Sequence, residues 1–310
     1  MKADRSQSDA CDNLVPTIRY KWRSNEDVRV SDGCTIAAKR IGDGAFLLKN
    51  RDLVYENFKD SAIFDDSVFA VTGVNIGTGK KAGVSIGLNK WGLAACSSTV
   101  LIKPAEAYDF LLEDILRSAK TVERAHDMVS DSLRSGTRYQ WCNFAIATME
   151  GVAAIEIGEG VCELEKNPRM IARANHHMKL PTKDAILKAS KEEREAGGPL
   201  QTSEKRRQVA AKMIESATSF HDMTAILSTH SEGKGFDSIC RHRSSKPHEN
   251  ALMGETTYGY IVEMHRVDPK KFTFKMHVAR GNPCSNPFKE VAIDFDLSSR
   301  DKEKLVKEFP

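Results

Sequence analysis

From Cys34 onward the chain alternates apolar and polar residues with the period of two that half-buried strands require. The pattern predicts strands over 35–41, 45–50, 67–74, 83–88 and 92–99. Gly42-Asp43-Gly44 reads as a hairpin turn between the first two, because glycine accepts the positive φ such turns use. Asn89-Lys90-Trp91-Gly92 plays the same part between the last two. Over 104–118 the period lengthens, and Ala107, Phe110, Leu111, Ile115 and Leu116 fall near one face of a helix. Pro104 suits its first turn, where a missing N–H costs nothing. A second helix is expected over 121–133. Strands return at 143–149, 152–158, 161–165 and 170–175. After a charged stretch over 181–201, read as an exposed loop around a short helix, helices are expected at about 203–216 and 220–229. The last strands are placed at 258–266, 271–278 and 291–295. Strand pairs joined by tight turns, with helices in separate blocks, indicate an α+β fold with antiparallel sheets in one large domain.

Residues 1–33 have a different character. The first 13 form a polar stretch with the composition of a disordered tail. Short alternating runs at 17–22 and 28–30 precede the turn Ser31-Asp32-Gly33.

Composition removes several classes of function. The 46 Lys and Arg residues against 43 Asp and Glu leave a net charge of +3. That balance argues against a dedicated nucleic-acid or anionic-membrane binder, which needs a basic face. No apolar run approaches the roughly 20 residues of a membrane helix, and the N-terminus lacks the apolar core of a secretory signal. The seven cysteines are well spread and form no C-x-x-C pair. This spacing fits neither a clustered zinc site nor a small disulfide scaffold. It fits free thiols in a reducing, cytoplasmic compartment.

Most apparent motifs carry little. Gly73-Val74-Asn75-Ile76-Gly77-Thr78-Gly79-Lys80 looks like a phosphate loop. However, its glycine spacing is one too long, Lys81 stands where Ser or Thr should be, and no helix follows. His176-His177 are adjacent, and His221 and His230 match no helical ligand spacing, so neither a metal nor a cofactor is expected. Arg241-His242-Arg243 reads as a solvated loop.

Cys34 is different, because it follows Gly33 at the start of a strand. Glycine leaves its own carbonyl sterically open to the thiol. Attack by Cys34 Sγ on that carbonyl would convert the peptide bond into a thioester, and water would then release a new N-terminal cysteine. Such a residue carries both the nucleophile and, in its α-amine, the base, with reference pKa values of about 8.5 and about 7.7–8.0. A hairpin from Thr35 returns Asp52 to Cys34, eighteen positions on. Asn175, at the end of another expected strand, offers an amide donor for an oxyanion. Arg241 offers a guanidinium.

These residues resemble those of the N-terminal-nucleophile amidohydrolases, in particular the acyl-CoA:isopenicillin-N acyltransferase-like group (peptidase family C45). That group is related to penicillin V acylase and bile salt hydrolase. Asp32-Gly33-Cys34-Thr35-Ile36 is similar to the family start D-G-C-T-T, and Asn50-Arg51-Asp52 to its N-x-D at the same spacing. Gly87-Leu88-Asn89-Lys90-Trp91-Gly92 matches G-x-N-x-x-G, and Ala174-Asn175-His176 resembles T-N-H. Ser203-Glu204-Lys205-Arg206 matches S-x-x-R before a helix, and Ser238-Ile239-Cys240-Arg241 reproduces S-I-C-R. The resemblance runs in order from residue 32 to about 280.

The resemblance implies an αββα sandwich, with residues 1–33 a pro-segment cut after Gly33 and 34–310 the catalytic domain. It implies Cys34 as nucleophile and base, Asn175 in the oxyanion hole, and Asp52 and Arg241 as supports. The activity expected is a self-processing amidohydrolase or acyltransferase acting on a linear amide, with a small acyl amide or acyl-CoA as substrate. Alternatives are a peptidase or N-acyl amino acid hydrolase of the same fold, and a non-catalytic binding protein that never matures. Family members often assemble into multimers, and a cleaved pro-segment can stay bound. Two positions depart from the pattern. Lys49 stands where the bile-salt relatives carry Arg, and Ala95-Cys96-Ser97-Ser98 replaces a stretch that usually holds an oxyanion-hole Asn.

Overall fold

The computed structural model describes residues 29–30, 34–53, 58–75, 80–102, 105–181, 199–243, 254–268 and 271–310. The expected strand at 17–22, the turn at 31–33 and the Gly33 cleavage position lie outside the described residues, as does Pro104.

Seven strands come first: β1 (Arg29–Val30), β2 (Thr35–Ile41), β3 (Gly44–Leu53), β4 (Ala62–Phe64), β5 (Val68–Asn75), β6 (Lys80–Asn89) and β7 (Ala94–Ile102). Helices α1 (Tyr108–Ser118) and α2 (Val122–Arg134) follow. Next come β8 (Trp141–Ala147), β9 (Val152–Gly158), β10 (Val161–Asn167) and β11 (Met170–Arg173). Helices α3 (Pro199–Ser216) and α4 (Phe220–Leu227) precede β12 (Glu255–Asp268), β13 (Lys271–Arg280), β14 (Lys289–Ile293) and α5 (Ser299–Lys307).

The strands form two antiparallel sheets. One has the order β10-β9-β8-β7-β6-β5-β4, with β1 beside the end of β7; the other has the order β11-β2-β3-β12-β13-β14. Three apolar clusters hold the fold together. The first joins the sheets, with Ile36, Leu47, Tyr260 and Val262 from one meeting Phe69, Ile86, Cys96 and Ala145 from the other. The second joins the outer side of the eight-stranded sheet to Leu112, Ile115 and Leu116 of α1 and Ala125 and Val129 of α2. The third joins Phe46, Leu48 and Ile261 to Ala210 and Ile214 of α3 and Met223, Ile226 and Leu227 of α4. Sheets apolar on both faces explain the fully buried patterns of β3, β7, β8 and β9.

Two elements depart from the pattern reading. Strand β4 is only three residues long, too short for alternation to register. Helix α5 is mostly charged and packs through Leu305 and Val306, while its buried Lys302 pairs with Asp66 at 2.6 Å. A helix that shows the core so few apolar side chains leaves almost no periodic trace.

Asn89 explains the G-x-N-x-x-G motif in structural terms. Its Oδ1 accepts from the N–H groups of Trp91 and Leu93, and its Nδ2 donates to Leu116 O and Ala119 O at the end of α1. Gly92 completes that turn at φ +83°. Gly73 and Gly83 have another purpose, since a Cβ on either would come within 2.2–2.7 Å of Asp109 or of the neighbouring strand backbone. The missing side chains let the first turn of α1 lie directly on β5 and β6, which delivers Asp109 to the site described next.

Candidate active site

The hairpin register sets the geometry. Thr35 pairs with Asn50 and Ile41 with Gly44, so Cys34, one residue before β2, meets the far end of β3. Cys34 is buried, and the backbone N–H of Asp52 hydrogen-bonds to it. Burial pushes the thiol pKa up; Lys49 pulls it down, and the Asp52 charge adds to the rise.

On its other edge β3 pairs with β12, which places Thr256 opposite Asp52. Thr256 Oγ1 donates to Asp52 Oδ1 at 2.6 Å. Arg241 Nη1 stands 3.7 Å from Asp52 Oδ2, and both side chains are wholly buried. Oδ2 has no hydrogen-bond partner among the described residues. Burial raises the Asp52 pKa, against the opposing pull of Arg241 and Arg206. Arg241 itself is locked in place. Its Nη2 donates to Phe236 O at 3.0 Å, and its backbone N–H donates to Thr256 Oγ1 at 2.9 Å. Asn50, the first residue of the N-x-D motif, donates from Nδ2 to Leu227 O and Ile239 O, both at 2.8 Å. That residue therefore ties the Arg241 segment to β3.

Asn175 lies two positions beyond β11, where the expected strand has already ended. Its Oδ1 accepts from Arg206 Nη2 at 2.8 Å, and its Nδ2 donates to Thr99 O at 2.6 Å. Arg206 Nη1 also donates to Cys34 O at 3.0 Å and Thr35 Oγ1 at 3.1 Å. A single guanidinium thus links the Cys34 carbonyl to Asn175, using the fork geometry that only arginine offers. Burial, with the nearby Arg241 charge, pushes the Arg206 pKa down to about 9, which still leaves it charged at neutral pH. Ser203 accepts the Asn175 backbone N–H at 2.7 Å and shares a 2.7 Å hydrogen bond with His176 Nδ1. Three positions apart on α3, Ser203 and Arg206 lie on one helix face. This is what the S-x-x-R motif accomplishes. His176 and His177 are buried, which holds both near a pKa of about 4 and keeps them neutral.

The structure therefore joins Cys34, Asp52 and Arg241 in one buried chain of contacts and reaches Asn175 through Arg206. Asn175 is absent from the walls of the small cavity over Cys34, whose lining includes Lys49, Asp52, Ser97, Thr99 and Asp109. That cavity measures ≈ 20 Å³, room for about one water. Lys49 Nζ donates to Ser85 Oγ at 2.6 Å and Ser97 O at 2.7 Å, a buried ammonium beside the thiol. Arg51 is paired with Asp60, whose Oδ2 also accepts from Tyr260. In the stretch that replaces the family's Asn, Ser98 Oγ donates to Ala174 O at 2.6 Å and supports the Asn175 loop, while Ser97 faces the cavity.

Asp109 is a site residue that the sequence reading misses. The pattern over 104–118 does not single it out, and only the glycine contacts above bring it inside. Burial pushes its pKa up to about 7, against the pull of Lys49 and Arg51. The folded protein thus holds the Asp109 proton between the usual carboxylate range and pH 7, while the unfolded chain releases it. Stability from this group consequently falls as pH rises across that window. Asp109→Asn should abolish this slope and remove an ionisation near pH 7 from the pH–rate profile of any Cys34-dependent reaction. Thermal melts and rates at pH 5, 6, 7 and 8 check both, and an unchanged slope and profile would contradict the assignment.

No protein-family model matches the chain, and no curated protein matches it by sequence. Among the described residues, no helix is long and apolar enough to cross a membrane.

Proposed function

We propose that the chain is a self-processing cysteine amidohydrolase or acyltransferase of the N-terminal-nucleophile class. The observation that carries this reading is Asp52: its backbone N–H hydrogen-bonds to Cys34, and its buried Oδ2, ion-paired with Arg241 at 3.7 Å, has no hydrogen-bond partner among the described residues. An orphaned carboxylate oxygen is costly. A Cys34 α-ammonium freed by cleavage would supply the missing donor. The helix pairs packed against the outer sides of two facing antiparallel sheets support the αββα sandwich of that class.

In maturation, Cys34 Sγ attacks the Gly33 carbonyl carbon, and the C–N bond breaks to leave a thioester and the Cys34 α-amine. Water then cleaves the thioester, releasing the Gly33 carboxylate and restoring the thiol. The water-sized cavity over the thiol suits this step. In turnover, the α-amine takes the thiol proton and Sγ attacks an acyl carbonyl. Asn175, turned from Thr99, donates to the oxyanion, and Lys49 adds positive potential. Collapse of the intermediate expels an amine that is protonated by the Cys34 α-ammonium. Water or an acceptor amine then takes the acyl group from sulfur. Asp52 orients the α-amine, Arg241 balances the Asp52 charge, and Arg206 positions Cys34 and Asn175.

The test is the mass and N-terminal sequence of the purified full chain. The expected result is a chain beginning at Cys34. A chain that stays intact under every condition tried and shows no acyl transfer or hydrolysis would leave the non-catalytic reading.

A further inference from the structure

We infer that His230, Cys240, His242 and Cys284 form a four-ligand site for one zinc ion, outside the Cys34 cavity. One nitrogen or sulfur from each residue lies within 4.8 Å of all the others. His230 Nε2 and His242 Nε2 are 3.0 Å apart, and His242 Nε2 is 3.2 Å from Cys284 Sγ. Tetrahedral zinc with bonds of about 2.0–2.3 Å spaces its ligands roughly 3.3–3.8 Å apart. The cluster therefore fits the ion with side-chain adjustments of about 1 Å or less.

The donor chemistry points the same way. His242 Nε2 faces two heteroatoms at once, yet a neutral imidazole nitrogen has either one proton or one lone pair to offer. Hydrogen bonding alone leaves such a convergence poorly matched, whereas a central cation engages every lone pair. Two imidazoles and two thiolates make the S₂N₂ set that selects zinc over magnesium or calcium, and the two thiolate charges neutralise Zn²⁺. Four protein ligands close the coordination shell, as in a structural rather than a catalytic site. Cys240 is buried and Cys284 partly exposed, which leaves an entry path for the ion.

The site's place in the fold gives it a purpose. Its ligands come from three separate segments: the stretch after α4, residues 240–242, and the turn after β13. In the present arrangement these segments are joined by hydrogen bonds, including Cys240 N–H to Thr229 O at 2.8 Å and Asn282 Nδ2 to Arg241 O at 2.7 Å. Arg241, which reaches Asp52, sits between two of the ligands. Zinc would staple the three segments together and fix the backbone that carries Arg241. The metal site itself does not depend on the acyl-transfer reading.

The full chain, purified reduced and metal-free, is titrated with Zn²⁺ and separately with Co²⁺. About one equivalent of zinc per chain should bind. Cobalt should give the intense visible absorption of a tetrahedral ion and a thiolate charge-transfer band in the near ultraviolet. Saturating zinc should raise Tm by several degrees. Cys284→Ser and His230→Asn, both at partly exposed positions, should each lower zinc affinity by about 100-fold or more and remove the Tm shift. Circular dichroism verifies that each variant is folded, and Cys284→Ser must also weaken the charge-transfer band. The inference is overturned if cobalt gives no thiolate band, if both variants bind zinc like the parent, or if the reduced chain binds no zinc while Cys240 and Cys284 form a disulfide on oxidation. A failed titration with normal cleavage at Cys34 would dispose of the metal site alone, whereas zinc binding by an uncleaved chain would dispose of the processing reading alone.

Discussion

Cys34→Ala should keep its original N-terminus and have no measurable turnover. The thiol is required twice, first to attack Gly33 and then to attack the acyl substrate, and alanine provides no nucleophile for either step. The loss of turnover is expected to exceed about 10³-fold, because removing a nucleophile removes the whole covalent route. Cys34→Ser keeps a poorer nucleophile and should mature slowly or incompletely. Neither variant should lose much stability, since the side chain is small and, among the described residues, is held by the Asp52 N–H. Intact mass, N-terminal sequencing and a melt separate chemistry from folding. A Cys34→Ala chain that still lost residues 1–33 and turned over normally would sink the mechanism.

Arg206→Met should be nearly as damaging, by a different route. It removes the donor to Cys34 O, Thr35 Oγ1 and Asn175 Oδ1 in one step. Orphaning two or three buried acceptors costs on the order of 3 kcal/mol or more, equivalent to a drop in Tm of roughly 5 °C or more for a domain of this size. Below the melting range, processing should still slow markedly, because Asn175 and the Cys34 backbone lose their common support. Arg206→Lys retains charge without the fork and should recover part of the stability but little of the rate. Melts combined with processing time courses at low temperature check this. Parent-like processing by Arg206→Met would remove its positioning role.

The motifs that resemblance picks out divide into chemistry and scaffolding once their contacts are known. Arg241 reaches Asp52 from a distant segment, whereas Cys34 and Asp52 meet as their sequence positions lead one to expect, because the β2–β3 hairpin is a local structure. Its length is set by the turn glycines and its register by the alternation of its own residues. Asn89 and Asn50 recur for a plainer reason, since each satisfies backbone groups at a turn, a helix end or a chain crossing. Asn175 lies outside the walls of the Cys34 cavity; its amide points to Thr99 O and its link to Cys34 passes through Arg206. An S-x-x-R pattern carries no sign of which carbonyl or amide its side chains will meet.

What the sequence by itself determined was local: most of the strands and helices, the antiparallel hairpins, the absence of long apolar spans, and the Cys34–Asp52 approach. Each follows from periodicity or from residues close together along the chain. Only the tertiary structure decided that Asp109 enters the cavity, because this depends on α1 lying against side-chain-free positions of β5 and β6. The same holds for Lys49 as a buried cation, and for the convergence of His230, Cys240, His242 and Cys284. Those four ligands follow no familiar metal spacing, since they come from three segments that pack against one another. Periodicity reports the face on which a residue lies, while packing between distant segments selects what it faces.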